Sequence, residues 1–166
     1  MFGPRPGSDT DLMFVYYFVL LPETRFQDAE RSLLDALDSL PGIGDVAYRQ
    51  GEELRARIGV GDGRIAKTVR LQVGGPVRGA RETTVPLTWE ATGAPGLFPK
   101  MEADLVISAM GPDVTHLSVR GTYRPPLGPL GIALDRALLH RVAEASVKGF
   151  VDRLATALQT QAAATG

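Results

Sequence analysis

The chain contains no cysteine. Disulfides, thiol nucleophiles and zinc sites built on thiolates are therefore excluded. Its only histidines are His116 and His140, which excludes a multi-histidine metal site. Acidic residues are scattered singly, without metal-ligand spacing, so no metal or other cofactor is expected. No Gly-Lys-Ser/Thr follows the glycine-rich stretches, which excludes a phosphate-binding loop. An excess of either charge is also missing. With 18 basic and 19 acidic residues the net charge is −1, so no nucleic-acid partner is expected. Lysine is scarce, at Lys67, Lys100 and Lys148 only. The longest apolar run, Leu12 to Leu21, is about half a membrane span, so no stable membrane insertion is expected. It follows Asp9 and Asp11 rather than a basic stretch. A signal peptide is therefore not expected, and a cytoplasmic location is.

What is present fits one globular domain. The chain has 166 residues, of which 44% are hydrophobic and 22% charged. Residues 1–11 are rich in Gly, Pro and Asp and read as a mobile tail. Residues 12–162 read as the domain, and 163–166 as a frayed end. Met13 to Leu21 is short, aromatic and β-branched, and Pro22 stops it, as in a strand. Its apolar residues on both faces predict cover on both sides. Thr24 and Gln27 have capping-box spacing. Phe26, Ala29, Leu33, Leu37 and Leu40 then follow helical spacing, ended by Pro41-Gly42 as one helix or a pair of short ones.

Strand patterns follow in series. Val46–Gln50 is a short one. Leu54, Ala56, Ile58 and Val60 alternate with charged residues. Val69, Leu71 and Val73 continue the alternation. Val85, Leu87, Trp89 and Ala91 form one face of the next strand. Met101–Met110 is turned by Gly111-Pro112-Asp113 into a last strand, with Leu117, Val119, Gly121 and Tyr123 on one face. His116 and Arg120 lie opposite. A long helix then runs from about 128 to 161, roughly 50 Å at 1.5 Å per residue. Leu134, Leu138, Leu139, Val142, Ala143, Ala145 and Phe150 share its apolar face. Arg136, His140, Glu144 and Lys148 run down the other, so His140 is read as solvated. Asp135 and Ser146 are polar positions within the apolar face.

The order of elements, and above all VPLTWEATGAPGLFPKMEADLVISAMGPDVTHLSVRGTYRPPLGPLGIALDRALLHRVAEASVKGFVDRL from Val85, resembles the START-like superfamily (SRPBCC proteins). That superfamily includes polyketide cyclases, lipid-transfer domains and birch-pollen-allergen-type proteins. The resemblance covers most of the chain from about residue 13 and lies in element order and spacing. It implies an α+β helix-grip fold. About seven antiparallel strands curve around the long C-terminal helix, with a short helical segment after the first strand and an elongated apolar cavity between sheet and helix. Members bind lipids, polyketides, sterols, hormones or quinones, and some catalyse cyclisation or dehydration. The family has no shared catalytic motif, so no catalytic residue is carried over.

The candidate ligand-binding residues are Leu87, Trp89, Leu105, Leu117, Val119 and Tyr123 on the sheet, and Asp135, Leu138, Val142 and Ser146 on the helix. Most also serve as core. Trp89 and Tyr123 combine a large apolar body with a polar end. Asp135 has an alternative reading as an acid favoured by the helix dipole. Ser146 has one as a small residue bonding back to its own helix. Leu97 and Phe98, between prolines, are lid candidates, or a tucked connection. Three functions follow: a binder or carrier of a hydrophobic small molecule (lipid, polyketide, quinone or similar), a cyclase- or dehydratase-type enzyme using Asp135, Ser146 and Tyr123, or a protein-interaction module. The third would use the 94–99 loop or the outer sheet face with Arg55, Arg57 and Arg120. A monomer or weak homodimer is expected.

Overall fold

The computed structural model describes residues 12–47, 68–92, 100–123 and 136–164. The first strand, β1 (Met13–Pro22), leads into helix α1 (Phe26–Asp35), a 3-10 turn (Leu37–Ser39) and a further helical stretch, α2, at residues 40–47. Strands β2 (Thr68–Val73), β3 (Val77–Arg78), β4 (Glu82–Thr92), β5 (Met101–Ala109) and β6 (Val114–Tyr123) follow. The last element is helix α3 (Arg136–Ala164). Among the described residues the sheet has six strands, ordered β1-β6-β5-β4-β2, with β3 paired to β4. Each described pairing is antiparallel. This is the helix-grip arrangement.

Alternation in the strands decides which residues face the helix. Leu87, Trp89, Leu105, Ile107, Leu117, Val119 and Tyr123 are all buried. The register aligns them in rows across the sheet. One row runs Leu71, Trp89, Met101, Tyr123, Met13, and another runs Val85, Leu105, Val119, Tyr17. On α3 the spacing of Val147, Phe150, Val151, Leu154 and Leu158 builds one helical face, and all five are fully buried. The Phe150 ring meets the Trp89 ring edge-on at 5.5 Å between centroids. The β5–β6 turn falls where Gly111 was expected to make it. Gly111 has φ +133°, which its lack of a Cβ permits.

Several local expectations are corrected. Thr24 is not the cap of α1. That position is Arg25, which makes no side-chain cap bond, while the Thr24 hydroxyl donates to the Pro22 carbonyl at 3.0 Å. Pro41 lies inside α2 rather than ending the helical region, since a first turn has no need of its N–H. Val46 therefore belongs to a helix and not to a strand. The short strand β3 has only two residues, too few to show an alternation. The outer row of β1 is open: Phe14 is 72% exposed, Tyr16 57%, and Phe18 and Leu20 49% each. The strand expected at 54–60 and the start of the long helix near 128 lie outside the described residues.

Glu30 ties α1 to the sheet. Its carboxylate accepts Arg78 Nε at 2.9 Å, Arg78 Nη2 at 3.0 Å and the Thr83 hydroxyl at 2.6 Å. Hydrogen bonding from Arg78, outweighing the cost of burial, holds this carboxyl below the usual glutamate range.

Candidate functional site

The site lies where α3 crosses the Trp89–Tyr123 row. These two residues sit on strands flanking β5, so their backbones are roughly 10 Å apart at about 4.8 Å per strand spacing. The helix spans the same gap. Phe150 packs on Trp89, and His140 stacks on Tyr123 with 6.4 Å between ring centroids. At 1.5 Å per residue, Ser146 lies about 9 Å beyond His140 and about 6 Å before Phe150 along the helix.

Among the described residues, two polar atoms in this interface have no hydrogen-bond partner: Trp89 Nε1 and Ser146 Oγ. Trp89 is 5% exposed and Ser146 6%. A buried donor without a partner costs about 1–3 kcal/mol, so each calls for a physical reason. Ser146 does not bond back to the preceding turn, the usual resort of a serine within a helix. Trp Nε1–H can only donate, and a hydroxyl can donate as well as accept. An oxygen acceptor supplied from outside the protein is a partner that either could take.

At the other end of the row the polar groups are linked. The Tyr123 hydroxyl lies 3.2 Å from His140 Nδ1, and His140 Nε2 lies 3.1 Å from Glu144 Oε1. With Nε2–H given to Glu144, Nδ1 is left to accept the phenol proton. Burial, and secondarily the negative charge of Glu144, push the Tyr123 phenol up to about 12. The chain runs from an exposed carboxylate to a phenol that is 2% exposed. It can pass a proton between solvent and the interface.

His140 is thus half-buried and engaged, not solvated. The sequence contained the signal, because Glu144 stands at i+4 on the same helical face. His116 does lie on the outer sheet face, with its Nε2 3.4 Å from the Tyr16 hydroxyl. Of the expected binding residues, Leu87, Trp89, Leu105, Leu117, Val119, Tyr123 and Ser146 all face the sheet–helix interior and are buried. Leu138 and Val142 lie within α3. Asp135, Leu97 and Phe98 lie outside the described residues. Among the described residues no group of His, Asp or Glu could hold a metal ion, and no helix is long and apolar enough to cross a membrane.

No family model matches the chain, and no curated protein does. Solved structures are similar to it. A hypothetical protein from Helicobacter pylori is 14% identical, covering 92% of this chain and 96% of its own, with a TM-score of 0.46. An aromatase/cyclase from Streptomyces sp. R1128 is 13% identical over 92% and 94%, with a TM-score of 0.42. Ara h 8.0201 is 11% identical over 90% and 99%, with a TM-score of 0.47. At these identities the likeness concerns the fold alone, and the fold rests on the chain's own strand order and helix placement.

Proposed function

We propose that the protein binds a hydrophobic small molecule between the sheet and α3, and that the molecule carries an oxygen acceptor met by Trp89 and Ser146. The observation behind this reading is the pair of buried polar atoms without a partner among the described residues, Trp89 Nε1 and Ser146 Oγ. The surrounding wall of Leu87, Leu105, Leu117 and Val119 is apolar and buried, as in pockets that take hydrophobic ligands with a few placed polar groups. A ketone, quinone, ester or lipid headgroup oxygen suits a donor pair. The reading keeps the cytoplasmic location expected from the sequence.

The test uses the fact that Trp89 is the only tryptophan. Native mass spectrometry of freshly purified protein, beside an organic extract, should reveal a bound apolar molecule. Titration with 1,4-naphthoquinone should quench Trp89 emission saturably, and Ser146→Ala should weaken that binding. An apo mass together with non-saturable quenching would sink the reading.

A second reading, an enzyme of the cyclase or dehydratase type, is favoured by the Tyr123–His140–Glu144 chain. Acid–base work on a bound polyketide would need such a path for protons. Its test is product analysis with a polyketide-like polyketone, comparing the native chain with Tyr123→Phe and His140→Gln.

A further inference from the structure

We infer, resting on the binding reading above, that Tyr123 determines the ligand's second polar group: the Glu144–His140 pair fixes its hydroxyl as a hydrogen-bond acceptor, so the molecule carries a hydroxyl at the end opposite its own oxygen acceptor. The proton in that chain has one direction. A carboxylate can only accept, so Glu144 Oε1, 3.1 Å from His140 Nε2, takes the N–H. A neutral imidazole then offers only a lone pair at Nδ1, and the Tyr123 hydroxyl, 3.2 Å away, donates to it. Burial pushes the phenol up to about 12, so that proton stays in place. A hydroxyl has one proton to give and two lone pairs. With the proton committed to His140, the Tyr123 oxygen can only accept from a further partner. A ligand ketone or ether there would set lone pair against lone pair, whereas a ligand hydroxyl would complete the chain.

The other polar spot is opposite in kind. Trp89 Nε1 can only donate and the Ser146 hydroxyl can donate, and both are without a partner among the described residues. Two routes give the same separation between the spots. Trp89 pairs with Met101 and Met101 with Tyr123, so two strand spacings, roughly 10 Å, lie between them across the sheet. Along α3, Ser146 stands roughly 9 Å beyond His140.

The stretch between is apolar. Met101 is buried and occupies the row position between Trp89 and Tyr123. Its sulfur lies 3.2 Å from where a Cβ on Gly121 would stand, so the thioether rests on a strand position without a side chain. Such a side chain re-packs readily against an occupant. The order across the site is therefore donor, apolar floor, acceptor. A quinone or ketone without a hydroxyl fits one polar spot only, and a hydroxylated ketone or ester fits both.

Isothermal titration calorimetry of the full chain at neutral pH tests this with benzophenone, 4-methoxybenzophenone and 4-hydroxybenzophenone. The three share a carbonyl and two rings and differ at one end. 4-Hydroxybenzophenone should bind about five- to tenfold more tightly than the other two, the worth of one completed hydrogen bond. Tyr123→Phe should abolish that preference and leave the affinity for benzophenone unchanged. His140→Phe keeps a ring against Tyr123 and frees the phenol proton, so 4-methoxybenzophenone should now bind as tightly as 4-hydroxybenzophenone. A merely structural His140 would instead weaken all three alike, which overturns the inference. His140 is partly exposed, so this variant keeps the test open even if Tyr123→Phe disturbs the fold. Benzophenone binding with no gain from the hydroxyl overturns the inference and leaves the binding reading standing, as does a preference that survives Tyr123→Phe. Failure of all three compounds to bind overturns both together.

Discussion

Ser146→Ala should stabilise the ligand-free protein. The Ser146 hydroxyl is buried, sits in the interior of α3 and has no hydrogen-bond partner among the described residues. Removing a buried, unpartnered hydroxyl recovers its desolvation cost, about 1–2 kcal/mol on protein-derived scales. Alanine also has the better helix propensity, by about 0.5 kcal/mol. Against this stands the loss of one buried atom's packing contacts, a few tenths of a kcal/mol at about 0.1–0.2 per contact. The net is a gain of about 1–2 kcal/mol. Urea unfolding should show a higher midpoint with an unchanged m-value, and Tm should rise by roughly 2–6 °C for a domain of this size. Thr115→Val is the internal control. Thr115 is also fully buried, but its hydroxyl donates to the Thr24 carbonyl at 2.9 Å. Its loss strands that carbonyl and should cost about 1–2 kcal/mol. Opposite signs for the two variants support a serine kept for a ligand. A Ser146→Ala protein destabilised by 0.5 kcal/mol or more (roughly the propensity gain with its sign reversed) would refute the reasoning, because the hydroxyl would then have a partner.

Two further predictions concern pH. Glu30 is held below its ordinary value of 4.5 by Arg78. It therefore contributes stability that is complete above about 4.5 and is lost as pH falls through the lowered value. Glu30→Gln should lower Tm at pH 7 and flatten the acid limb of Tm against pH below 4.5. An acid limb as steep as that of the native chain would remove Glu30 from the account. Tyr123 is shifted the other way, from 10.0 up to about 12. Its contribution is complete below pH 10 and is lost between 10 and 12, where the unfolded chain ionises first. Tyr123→Phe should lose less stability than the native chain across that window in thermal melts, and ultraviolet titration should show one fewer late-ionising phenol.

Much of the fold was legible along the chain because strand alternation and helix periodicity are local properties. Trp89 faces inward because Leu87 does, two residues away, and Phe150 is buried because it continues the spacing of Val147 and Leu154. The Gly111 turn was legible for the same reason, since only its own backbone decides it. The beginning of the helical region was misread because Thr24 looks like a cap and its hydroxyl has a nearer acceptor at Pro22. The site was legible in part. Ser146 was marked by being polar on an apolar face, but whether its hydroxyl would find a partner depended on the fold.

By itself the sequence determined most of the described elements, their order and the inward face of β4, β5 and β6, because these follow from side-chain period and backbone sterics. It also determined what chemistry is out of reach: without cysteine and with two histidines, thiolate and multi-histidine sites cannot be assembled. Only the tertiary structure decided which distant groups meet. It set His140 against Tyr123, 17 positions away, and Thr83 against Glu30, 53 positions away. Among the described residues it left Trp89 Nε1 and Ser146 Oγ without partners. It also put β1 at a sheet edge with its outer row exposed. Hydrogen bonding and burial are properties of pairs in space, and no local pattern encodes which pairs a folded chain will bring within reach.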